Sequence, residues 1–142
     1  MRFSILIFAL LWLLGGCATQ PYGSFIQNPS IVTSKVMADD VTAQIVRLYP
    51  AANTQFNLRH VANDPFGKAL IKNLRLEGFA VQEAIHKPIF AEPQKGLPLS
   101  YVVDQSGDLY HVKLMIDDMR LSRAFEVQAD SIHPAGLWVR KE

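Results

Sequence analysis

The side chains able to do chemistry are few and dispersed. His60, His86, His111 and His133 stand far apart, and none has metal-ligand spacing to another His, a Cys or a carboxylate. Lone histidines so placed read as surface or partner-bonded residues. Asp39-Asp40 and Asp117-Asp118 are adjacent acidic pairs. Helix neighbours one apart do not share a face, and the second pair sits in a turn sequence, where aspartate is favoured. Neither makes a general acid–base couple. Ser106 lies in "QSGD", a turn without the strand–elbow–helix setting of a nucleophilic serine. No glycine loop of phosphate-cradling form is present. One cysteine excludes an internal disulfide, a CxxC redox pair and a cysteine-cluster zinc site. The expectation is a protein that is not an enzyme and holds no metal or dissociable cofactor. A single reactive group is left, the thiol of Cys17.

The surroundings of Cys17 suit one chemistry. Met1-Arg2 carries positive charge, and Phe3 to Leu14 follow as twelve residues without a charge, Pro or Gly. Twelve is short for a membrane span, which takes about 20 apolar residues, but fits the apolar region of a signal peptide. Leu14-Gly15-Gly16-Cys17 comes next. Small residues before a cysteine let a signal peptidase leave that cysteine as the new amino terminus. The run resembles the bacterial lipobox, which implies cleavage after residue 16, a diacylglycerol thioether on Cys17 and an acyl chain, such as palmitate, on its amine. Each buried methylene contributes about 0.8 kcal/mol, so two or three chains hold firmly. Ala18, in place of the aspartate that signals inner-membrane retention, points by analogy to the outer membrane, with the domain in the periplasm. The other readings are an ordinary secretory signal with a chance cysteine, or an uncleaved membrane-surface helix.

Removing the first 16 of 142 residues leaves 126, and loss of Arg2 takes the formal charge from +1 to zero. That balance does not suggest a direct nucleic-acid binder, nor an overall attraction to lipid headgroups. The composition is globular, 49% hydrophobic and 19% charged, with room for one domain.

Residues 17–33 read as the lipidated cysteine and an extended linker, since "ATQPYGSFIQNPSIVT" has two prolines, a glycine and no sustained period. Sixteen extended residues reach roughly 50 Å. Phe25, Ile26, Ile31 and Val32 are apolar for a spacer, and pack on the domain, dock a partner or are simply exposed without a role. The domain is expected over 34–142. Its first helix runs from about Ser34 to Leu48, with Met37, Val41, Ile45 and Leu48 on one face and Pro50 ending it. "TQFNLRHV" (54–61) alternates as a half-buried strand. A second helix has Asp64 as cap, Pro65 at its first position, Phe66, Ala69, Leu70 and Leu74 inward, and Gly78 as its stop. A short strand, Phe79 to Glu83, and the loop "AIHKPIFAEPQKG" follow. Three strands then form a meander, 97–104, 109–116 and 121–129, turning at "QSGD" and "DDMR". The fold class is therefore α+β: two helices on a small mixed or antiparallel sheet, in the order αβαβ then meander.

Three residues are candidates for contact with a partner. Arg123 interrupts an apolar strand face, Phe125 follows it, and Trp138 lies in the tail between Leu137 and Val139. Arginine and aromatic anchors dominate interface energetics. Arg123 is either a buried, paired arginine or an interface contact. Trp138 either closes the protein's own core or anchors a neighbour.

The last third carries a family pattern. It holds a strand ending in Tyr-x-x-Asp (Tyr101, Asp104), then Gly107 in the turn, then Arg123-Ala124-Phe125, and a basic tail bearing Pro134 and Arg140. With "ALIKNLRLEGFAVQE" before it, this resembles the TrbH family of conjugal-transfer lipoproteins. The linker is longer and more aromatic than the family pattern. The resemblance implies a structural component of the type IV secretion apparatus that forms mating pairs and moves conjugative DNA. Its partners would be other mating-pair-formation proteins and the membrane. By fold analogy with secretin-type ring-forming modules, they would also include further copies of the chain in a ring. Two alternatives stand beside it: an envelope lipoprotein acting as assembly factor or pilotin for an outer-membrane complex, and a small periplasmic hydrolase or ligand-binding domain.

Overall fold

Ser30 begins the first helix. Its hydroxyl accepts the Thr33 amide at 3.4 Å, and the helix α1 runs Ile31–Leu48, one turn earlier than the sequence reading placed it. The structure, a computed structural model, describes residues 21–84 and 95–142. Met37, Ala38, Val41 and Ile45 recur at helical spacing and are fully buried. A single 3-10 turn, Ala51–Asn53, leads into strand β2, Gln55–Leu58. Helix α2, Pro65–Leu76, opens as expected: the Asp64 carboxylate accepts the Gly67 amide at 2.9 Å, and proline fills the first turn. Gly78, at φ +90°, takes the left-handed conformation that ends it.

Strand β3, Ala80–Gln82, runs parallel to β2, which itself runs parallel to β4, Leu97–Ser106. Then comes the expected meander: β4, β5 (Leu109–Ile116) and β6 (Met119–Gln128), each antiparallel to the last. The second turn is tighter than "DDMR". Asp117 takes φ +52°, so two residues reverse the chain and Met119 pairs directly with Ile116.

Three strands escaped the sequence reading: β1 (Gly23–Ser24), β7 (Ser131–Pro134) and β8 (Val139–Lys141). All are edge-fillers. On the edge of β4 away from β5, β2 pairs with Leu97–Leu99, and β1 pairs with Val102 and Val103. On the edge of β6 away from β5, β8 pairs with Arg120–Ser122, and β7 with Phe125–Gln128. Unpaired strand edges invite foreign strands, and these pieces cover them. The expected linker is corrected accordingly. Residues 23–24 belong to the sheet, Ile26 packs on the core, and residues 31–33 are helical, so the folded unit begins well before residue 34.

Both helices lie on one face of this eight-stranded mixed sheet, an α+β fold. Leu99, Tyr101 and Val103 of β4, Val112, Leu114 and Ile116 of β5, and Leu121 and Phe125 of β6 alternate onto that face. They form one buried cluster with the apolar stripes of α1 and α2, each fully buried large side chain contributing about 1.5–3 kcal/mol.

Candidate functional site

Arg123 points from β6 toward the helix layer. Its Nη1 donates to both carboxylate oxygens of Asp40 on α1, at 2.9 and 3.0 Å. Its Nε donates to the Gly136 carbonyl at 3.0 Å. The guanidinium carbon lies 6.0 Å from the centroid of the Phe125 ring and 5.9 Å from that of Trp138. Only 18% of the Arg123 side chain and 24% of that of Asp40 reach solvent, so the charges are poorly screened and favour being paired. Gly136, at φ +139°, lets the tail bend to present its carbonyl.

The structure thus brings the three nominated residues together, but for a task inside the molecule. Phe125 is fully buried, which corrects its nomination as a partner contact: on β6 it alternates with Ala124 and Glu126 and takes the core face. Trp138 is half-buried against the core. Arg123 is the paired arginine of the two readings, joining helix, sheet and tail. The residues flanking Trp138 face outward, Leu137 at 86% exposure and Val139 at 62%.

A second polar cluster was missed. The Tyr101 hydroxyl donates to Asp64 Oδ2 at 2.5 Å, while Oδ1 of the same carboxylate caps α2. His60, one of the histidines read as isolated, is buried edge-on against Tyr101, with Tyr22 stacked on it at 5.7 Å. His60 Nε2 accepts the Tyr101 backbone amide at 3.4 Å, which places the ring proton on Nδ1, 3.3 Å from the Val61 carbonyl. The imidazole therefore fills the gap between β2 and β1 on the β4 edge. Burial pushes the His60 pKa below its ordinary 6.5, against the opposing pull of the Val61 carbonyl and the Asp64 carboxylate. Burial also pushes the Tyr101 phenol far up, reinforced by Asp64, so it stays a donor. Asp64 just before proline is a visible signal; its reach to a tyrosine 37 residues away is not.

The other reactive residues stay apart. Asp39 faces Lys35 and Asn73, at 2.7 Å each, while Asp40 turns to Arg123. His111 and Lys113 flank Asp104 on the exposed sheet face, both at 3.2 Å. Asp117-Asp118 form the β5–β6 turn, and Ser106 ends β4. Leu14, Gly15, Gly16, Cys17 and His86 lie outside the described residues. Among the described residues, no group of three or more His, Cys, Asp or Glu is placed to hold a metal ion, and no helix is long and apolar enough to cross a membrane.

A family model described as conjugal transfer protein TrbH matches residues 19–142. No curated protein and no solved structure matches.

Proposed function

The chain belongs to the TrbH family of conjugal transfer proteins, and from that premise we propose that it is a lipid-anchored structural component of the conjugative type IV secretion apparatus. The family match carries this reading. Cys17 and the apolar run before it supply the anchor, with diacylglycerol on the thiol and an acyl chain on the amine. The outer membrane holds the lipid and the domain faces the periplasm. The protein performs no reaction; it contributes rigid surfaces to an assembly whose other members are transfer proteins and further copies of this chain. Two observations support that role. Arg123, the one charged residue nominated for contact, instead braces the domain by pairing with Asp40, and the buried cluster is filled with apolar side chains.

Affinity purification from mildly solubilised membranes of donor cells, with mass spectrometry, tests it. Transfer proteins should accompany the chain in fixed proportion. Cys17→Ser should abolish acyl labelling and move the protein from the membrane pellet to the soluble fraction. Recovery of an outer-membrane barrel without transfer proteins would favour an assembly factor instead.

A further inference from the structure

The outer face of the helix layer carries a long groove. Asn73 Nδ2 donates to Asp39 Oδ1 at 2.7 Å, Ile31 lies across from Pro65, and Ala43 lies across from Glu77. The helices therefore run side by side in the same direction, with a seam open to solvent. Two hollows of this groove, of about 480 and 460 Å³, adjoin at Asn73 and Leu76. From Ile31 to Val46 the groove spans about 22 Å at 1.5 Å per residue. Its apolar side chains stand unusually wet: Ile31 is 76% exposed, Leu76 73% and Val46 42%. Between them the floor is low, made by Ala69, Asn73, Thr42 and Ala43.

The cationic charge of this groove gathers at one end. Lys35, Lys68 and Lys72 line its upper half and Arg47 its lower half, against Asp39 and Glu77. Asp39 is already committed to Lys35 and Asn73. Among the described residues, neither Lys68 nor Lys72 makes an ion pair. The neutral total of the processed chain thus hides a local cationic excess.

We infer that the α1–α2 seam is a docking groove for an acidic amphipathic helix of another transfer-apparatus protein. A low floor between two ridges accepts the side-chain ridge of a third helix. Leu76 and Ile31 become its apolar contacts, and Lys68 and Lys72 meet carboxylates on its flanks.

The inference rests on the proposed place in the transfer apparatus, and one experiment separates the two. A photo-crosslinking amino acid replaces Leu76 in the full chain, in donor cells carrying the transfer system, with a control probe at Lys113 on the opposite sheet face. The Leu76 probe should join a transfer protein at a segment with acidic and apolar residues in helical spacing. Lys68→Glu with Lys72→Glu should lower that yield roughly tenfold or more, as reversal of rim charge does, with circular dichroism and membrane sedimentation unchanged. Adducts to lipid, to a second copy of this chain or to a segment without that pattern would overturn the groove assignment. So would no adduct, or a yield indifferent to charge reversal. Co-purification of transfer proteins in the same cells scores the broader reading separately.

Discussion

One guanidinium holds three parts of the chain, because Arg123 bonds to Asp40 on α1 and to Gly136 in the tail while standing on β6. Arg123→Ala leaves Asp40 without its partner in a setting only 24% exposed, and should cost about 2–3 kcal/mol by urea unfolding. Arg123→Lys keeps the charge but loses the second bond, and should cost less. Equal midpoints for wild type and alanine variant would show that water replaces the pair. His60 makes a different prediction. Its pKa is lowered in the folded protein, so the unfolded chain takes up the proton more readily. Its contribution to stability is complete above 6.5 and is lost as the pH falls through 6.5 toward the folded value. The urea midpoint of wild type should therefore fall faster than that of His60→Gln between pH 7 and pH 5, and parallel profiles would refute the assignment. Arg123 was visible in the sequence because a charge interrupting an apolar strand face is anomalous. His60 was not, since its partner is a backbone amide 41 residues away.

The entry to α2 shows how an element is set by its neighbours. A Cβ on Gly67 would fall 2.0 Å from Tyr101 Oη and 2.7 Å from Ala62 Cβ, closer than atoms pack. Alanine is the better helix former by about 1 kcal/mol, yet Gly67→Ala should lower stability by about 1–3 kcal/mol in thermal unfolding. Combining it with Tyr101→Phe should cost less than the two single changes summed, since the hydroxyl oxygen is the worst clash. Strict additivity would show that the helix, not the tyrosine, absorbs the strain. The long elements were legible because their periods extend over several turns or pleats: both helices and the β4–β6 meander stand where apolar spacing placed them. The first turn of α1 was obscured by two prolines before it. The strands β1, β7 and β8 span two to four residues, too few for any period. What makes them strands is the unfilled edge of β4 or β6, a property of the folded sheet.

At the scale of the whole molecule, the placement of β1 alters how far the domain would stand from the lipid anchor proposed on Cys17. A free linker from residue 18 to 33 would allow roughly 50 Å. Gly23 and Ser24 are instead paired to Val102 and Val103, the Phe25 amide donates to the Val103 carbonyl at 2.8 Å, and Tyr22 is stacked on His60. Only six peptide units separate Cys17 from Gly23, so a lipid on that cysteine would keep the domain within roughly 20 Å of its attachment point. A leash this short would limit which neighbours the proposed groove between α1 and α2 meets. Inserting about ten Gly/Ser residues between Gln20 and Pro21 would let the domain wander roughly 17 Å further. Effective concentration near a fixed partner falls with about the −3/2 power of linker length, so the lengthening should reduce it roughly fourfold. Acylation, membrane sedimentation and the fold should be unchanged, while mating frequency drops. Undiminished mating with the long leash would mean that distance from the membrane is set by the partners, and that the docking of β1 serves only to close the edge of β4.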